Sequence, residues 1–142
     1  HRGTLTNQHD IKRNNRLAEI GLRNLEYVTV RDAIKHGKAA SGSRLHPLME
    51  TLLVNQFHDI LPGTCITQAN EQSVRETTEV IRQARALTEE ILQPVRKERT
   101  VSIENTLSFD RDDVIYLDAP EGCILAGGYK QQPATDLTCF FR

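Results

Sequence analysis

No apolar run in this chain exceeds three or four residues, so nothing in it reads as a membrane span, which needs about 20. Neither sign of charge is in excess: 18 Lys and Arg stand against 19 Asp and Glu, for a net charge of -1. That balance gives no electrostatic reason to expect nucleic acid or an anionic membrane surface as partner. Cysteine is sparse. Cys65, Cys123 and Cys139 lie far apart, cannot all pair and show no CxxC spacing, which reads as free thiols in a reducing compartment instead of a disulfide frame or a zinc knuckle. HxxxH, HExxH, GxSxG and a phosphate-binding glycine loop are all missing as well, and with them the metalloprotease, serine-hydrolase and nucleotide-binding readings.

What is present is about one domain's length of alternating pattern. The chain opens on HRGTLTNQHD without an initiator Met or a signal-peptide pattern and closes on LTCFFR, in what reads as the middle of a strand. Termini are usually polar and exposed, so we expect a fragment of a larger protein.

From about Gln8 to Lys35, Ala18, Leu22, Leu25 and Val28 recur at helical spacing, with Lys12, Arg13, Arg16 and Arg23 available for the wet side. Gly21 lies inside this run, where it costs about 1 kcal/mol relative to Ala unless it permits close packing. His36-Gly37 closes the segment, and KAASGSR is a linker by composition. A second helix is expected from about Leu45 to Ile60, with Pro47 in its first turn and Leu53, Phe57 and Ile60 on the buried face. The third is expected after Gly63, capped by Thr64 and running to about Gln93 before Pro94. Its stripe is Ile66, Ala69, Ser73, Thr77, Val80, Ala84, Leu87 and Ile91, small in its first half. Three amphipathic helices with short loops imply an antiparallel three-helix bundle over residues 1–98.

Near Glu98 the period changes from 3.6 to 2. Thr100–Ile103 and Val114–Leu117 are β-formers, with Asp110–Asp113 as the turn between them. The fold class expected is therefore mainly α: the bundle, then the first strands of an incomplete β domain over residues 99–142.

One stretch stands out chemically. In NQFHDILPGT, His58 and Asp59 fall in the expected last helical turn, on adjacent faces beside the apolar seam, and Pro62-Gly63 then breaks the helix. A histidine at a helix C-terminus is favoured by the macrodipole and needs no ligand to explain it. A carboxylate there is mildly unfavourable, so Asp59 asks for another reason. His1, His9, His36 and His46 fall in loops or on polar faces, so spacing alone assembles no zinc site. Carboxylates abound, yet no pair stands out as an acid and a nucleophile.

LLVNQFHDILPGTCI resembles the hallmark of glycoside hydrolase family 38, the α-mannosidases, in which a helix ends in a Gln-(Phe/His)-His-Asp segment before a Gly-(Thr/Ser) loop. HRGTLTNQHDIKRNNRLAE is similar to the family's His-Arg-Gly-Thr-Tyr-Thr-Ser segment and the basic helix with an Asn-Arg-x-x-Glu core that follows it. VSIENTLSFDRDDV looks like the family's entry into its C-terminal β domain. Three motifs in the right order cover the chain to about residue 120, and the cytosolic and bacterial branch is resembled more than the Golgi and lysosomal enzymes. Leu5 stands where the family usually has Tyr and Met49 where it often has Trp, which should alter packing and not chemistry.

The resemblance implies a retaining α-mannosidase of the cytoplasm acting on terminal α-mannosides, of which this chain would be the middle helical domain, packed against the rest of its own parent chain. His58 matches one of four ligands to a divalent metal, normally zinc with cobalt as an alternative. The other three ligands come from an N-terminal α/β domain outside this chain. Asp59 matches an aspartate that binds sugar hydroxyls. The nucleophile and the acid/base residue also belong to that other domain, so no catalytic residue is expected here and the isolated chain should be inactive. The residues by themselves leave a second reading open: a non-catalytic helical packing or interaction module whose His58-Asp59 pair only ends a helix. Linkage preference and any homo-oligomeric state are not written in the sequence.

Overall fold

The computed structural model describes residues 3–92 and 105–110, together with the backbone of 132–133 and 139–140. The chain divides into two compact units, His1–Ser102 and Ile103–Arg142. The first unit holds three helices: α1 (His9–Lys35), α2 (Leu45–Asn55) and α3 (Thr67–Leu92). Their directions follow from cross-helix pairs. Asn14 of α1 meets Thr77 and Thr78 of α3, and Gly21, further along α1, meets Ala84, further along α3, so these two run parallel. The start of α2 lies beside Glu90 through Arg44, and its last residue, Asn55, reaches Glu76. α2 thus runs against both, and successive helices alternate in direction as expected of a three-helix bundle.

Among the described residues, one hydrophobic cluster gathers Ala18, Leu22, Leu25 and Val28 of α1, Leu48 and Leu52 of α2, and Val80 and Ala84 of α3. The α1 seam is the one its periodicity implies. Gly21 faces α3: a Cβ built there would stand 3.4 Å from the Ala84 side chain, at the near edge of ordinary van der Waals contact. Ser73 and Thr77 extend this contact with small polar side chains, both essentially fully buried. Thr77 Oγ1 donates to the Ser73 carbonyl at 2.7 Å, and the Asn14 amide donates to Thr78 Oγ1 at 3.0 Å. The Thr77 hydroxyl is thus satisfied within its own helix, whereas Ser73 Oγ is left without a partner.

α1 closes where His36-Gly37 suggested. Gly37 adopts φ 61°, its N–H donates to Ile34 O, and the Lys38 N–H donates to Ala33 O at 2.9 Å. These two bonds satisfy the last carbonyls of the helix and are the Schellman closure.

Two expectations are corrected. α2 ends at Asn55, not Ile60, and it buries Leu48, Leu52 and Asn55, leaving Leu53 and Phe57 more than half exposed. The reason is a polar tether: the Asn55 amide donates to Thr51 O at 2.8 Å and to Glu76 Oε2 at 2.9 Å, drawing a hydrophilic residue into the seam. α3 begins at Thr67, and Ile66, counted in its buried stripe, is 72% exposed. Thr64 therefore caps no helix: its hydroxyl donates backwards to Asp59 O.

Thr100–Ile103, Val114–Leu117 and nearly all of the Asp110–Asp113 turn lie outside the described residues. In the second unit, Asn105 forms an Asx turn, its Oδ1 accepting from the Leu107 N–H at 3.1 Å. A two-residue antiparallel ladder pairs Gln132 with Phe140 and Pro133 with Cys139.

Candidate functional site

After α2 the chain makes one tight turn and stops. Ile60 and Leu61 N–H both donate to Phe57 O, Gly63 N–H donates to Ile60 O at 2.8 Å, and Thr64 N–H donates to Asp59 O. Gly63 holds φ 75°. This is the same closing pair of bonds seen at Gly37, now ending a single turn in place of a long helix. His58 and Asp59 sit inside that turn, beyond α2, and not in its last helical turn.

The Asp59 carbonyl is held three times over, by Thr64 N–H, by Thr64 Oγ1 at 3.2 Å and by Cys65 Sγ at 3.2 Å. Its side chain is free of that network. His58 and Asp59 side chains are 74% and 59% exposed, with Nε2 and Oδ2 3.4 Å apart. The Phe57 ring lies against the imidazole at a centroid distance of 4.2 Å, tilted by 43°. The structure therefore brings the two expected site residues together on a fixed backbone with both heads open to solvent. An imidazole so placed can offer a ring nitrogen to a metal, and a carboxylate can accept from hydroxyls. Among the described residues no group of three His, Cys, Asp or Glu side chains could hold a metal ion, so this segment can offer one ligand but cannot enclose an ion.

Residues from far away in sequence hold the turn, and the sequence reading missed them. Lys12, expected on the wet side of α1, donates from Nζ to Pro62 O at 2.8 Å and also to Asn7 O. Burial there pushes its ammonium below the usual lysine value. The Asn7 amide donates to Gly63 O at 2.7 Å. The start of the turn is tied separately: the Gln56 amide donates to Asn15 Oδ1 and Glu19 Oε1, each at 3.0 Å, and Arg16 pairs with Glu19. The Asn-Arg-x-x-Glu run thus fixes the residue that leads into Phe57 and His58. Leu5 and Met49, the two departures from the family pattern, are 91% and 40% exposed and fill no place in the core.

The described surface has a cavity of about 200 Å³ at the other end of the bundle, lined by Leu25, Thr29, Lys38, Leu45, Leu87 and Ile91 among others. It contains neither member of the His58-Asp59 pair; Asp32, on its lining, pairs with His36 Nδ1 at 3.2 Å. No described helix is long and apolar enough to cross a membrane.

Known proteins resemble the chain over half of its length or more. Alpha-mannosidase of Saccharomyces cerevisiae is 28% identical over 134 residues, which is 91% of this chain and 12% of that protein. Alpha-mannosidase G of Dictyostelium discoideum is 36% identical over 81 residues, 57% of this chain and 7% of that protein. Alpha-mannosidase 2C1 of Homo sapiens is 32% identical over 78 residues, 52% and 7% respectively. The chain thus spans 12% or less of the length of these curated relatives. The family described as the alpha mannosidase middle domain matches residues 1–95, a span that runs from the segment holding the turn, through all three helices and past His58 and Asp59. With two thirds of its length inside that match, the chain belongs to the alpha-mannosidase middle-domain family.

Proposed function

We propose that this chain forms part of a retaining α-mannosidase that hydrolyses terminal α-mannosides, with His58 as one ligand to a divalent metal, zinc or cobalt, and Asp59 as an acceptor for sugar hydroxyls. The observation that carries the reading is the pair itself: an imidazole and a carboxylate, both exposed, on a turn whose backbone is fixed from several sides. Rigid placement is what a ligand and a hydroxyl acceptor require, because small angular errors cost affinity and rate. Three further metal ligands, the nucleophile and the acid/base residue would come from outside this chain, and the isolated chain would not turn over substrate. When bound, the ion would engage ring hydroxyls of the mannoside. Exposed Leu53, Val54, Phe57 and Ile66 around the turn would pack against the rest of the parent protein. The proposed compartment is the cytoplasm, on the resemblance of the NQFHDILPGT segment to the cytosolic and bacterial branch.

The test uses the longer protein carrying this segment, with metal content and hydrolysis of an aryl α-mannoside measured on the same samples. His58→Ala should lose both metal and activity, since one ligand of four is gone. Asp59→Asn should keep its metal and lose about 1.5–3 kcal/mol of transition-state binding, roughly ten- to a hundred-fold in kcat/KM. Full metal occupancy with a near-normal rate in His58→Ala would return the pair to the packing-module reading.

A further inference from the structure

The turn that carries His58 and Asp59 is not held by its own bonds alone. Its last two carbonyls, Pro62 O and Gly63 O, each accept from a donor near the start of the chain: Lys12 Nζ at 2.8 Å and the Asn7 amide at 2.7 Å. The same ammonium also binds the Asn7 carbonyl, so one cation bridges the segment before α1 and the turn after α2. Contact is close enough that a Cβ on Gly63 would lie 2.6 Å from Gln8 Cβ. Gln8 itself has φ 49°, a left-handed conformation that a non-glycine residue keeps only when its surroundings enforce it.

Both oxygens that Lys12 binds lie outside the apolar core, and both belong to peptide groups at the junction of the two segments. Movement of Pro62 and Gly63 is transmitted directly, because Thr64 N–H and Oγ1 both end on Asp59 O. We propose that Lys12, aided by Asn7, is the positioning residue of the His58-Asp59 turn. Its ammonium draws the Asn7 and Pro62 carbonyls together and fixes the turn before a metal or a sugar is bound. This rests on the site reading given above and adds to it a residue that touches neither metal nor substrate.

Amide exchange and kinetics on matched variants decide it. In the chain described here, Lys12→Met should speed amide exchange at Ile60, Leu61, Gly63 and Thr64 by about ten-fold, with the Val80 amide unchanged. Lys12→Arg, which keeps the charge and the donors, should restore most of the protection. In the longer protein, Lys12→Met should lower kcat/KM for an aryl α-mannoside by about ten-fold, part of it in kcat, at an unchanged melting temperature. Unchanged exchange in the turn, or equal acceleration at Val80, overturns the proposal, as does faster exchange with unaltered kinetics. His58→Ala run alongside separates the two claims. If it keeps metal and turnover, the site reading fails and the positioning role with it; if it is inactive while Lys12→Met is not, only the positioning role fails.

Discussion

The connections on either side of α2 close by the same hydrogen bonds and are held in opposite ways. Gly37 and Gly63 both take positive φ, 61° and 75°, and both end a helical turn with the paired bonds of a Schellman closure. Around Gly37 there is nothing within 4 Å of a would-be Cβ, whereas Gly63 is buried against Gln8 and Lys12. Local closure is a property of a few adjacent residues. Rigidity has to be added from elsewhere in the chain, and of these two closing glycines it is the one beside His58 and Asp59 that a distant segment packs against.

The contrast is tested most severely by alanine at the two glycines. Gly63→Ala meets a left-handed φ, worth about 1–2 kcal/mol, and forces side-chain atoms apart, worth about 1–3 kcal/mol more. A loss of roughly 2–5 kcal/mol in urea unfolding is expected, and a loss no larger than that of Gly37→Ala would dissolve the distinction.

The next effect concerns the end of α2 that leads into the site. Asn55→Ala removes a buried amide and one of the two amide donors to Glu76, and should cost about 1–3 kcal/mol. Two amides, from Gln72 and then Asn55, hold the Glu76 carboxyl below its usual value of 4.5. A depressed carboxylate contributes stability that is complete above 4.5 and is lost as pH falls through its lowered value. Glu76→Gln should therefore flatten the acid side of the stability–pH curve, and an unaltered acid limb would mean that the tether is slack.

Gly37→Ala should cost only about 1 kcal/mol, the backbone strain alone. Smallest of all is Arg44→Ala at the far end of α2. Its ion pair with Glu90, at 2.8 Å, joins two side chains that are both more than half exposed. Loss of about 0.5 kcal/mol or less, vanishing in high salt, is expected from thermal melts.

The parts legible in the sequence are those governed by neighbours at helical spacing. Ala18, Leu22, Leu25 and Val28 announce the buried stripe of α1, and His36-Gly37 announces its end. α2 was misread because Leu52-Leu53-Val54 offers apolar residues on every side. The true face is set by Leu48 and Leu52 with a polar Asn55, whose partner Glu76 is distant in sequence. At the site, the His58-Asp59 pair and the Pro62-Gly63 break were visible. Asn7 and Lys12 were not, since Lys12 looks like one more basic residue on a solvated helix face until the turn is folded against it.

The tight seam between α1 and α3 also has a calorimetric consequence. Buried positions there include Asn14, Asn70, Ser73 and Thr77 alongside Ala18 and Gly21's neighbour Ala84, and Asn70 Oδ1 and Ser73 Oγ have no hydrogen-bond partner. Unfolding such a seam exposes polar surface, which lowers the heat capacity, where a leucine-rich seam would raise it. The helical unit should therefore have a heat-capacity increment below the usual 12–15 cal/mol/K per residue, about as these terms predict, and a correspondingly broad, shallow stability curve.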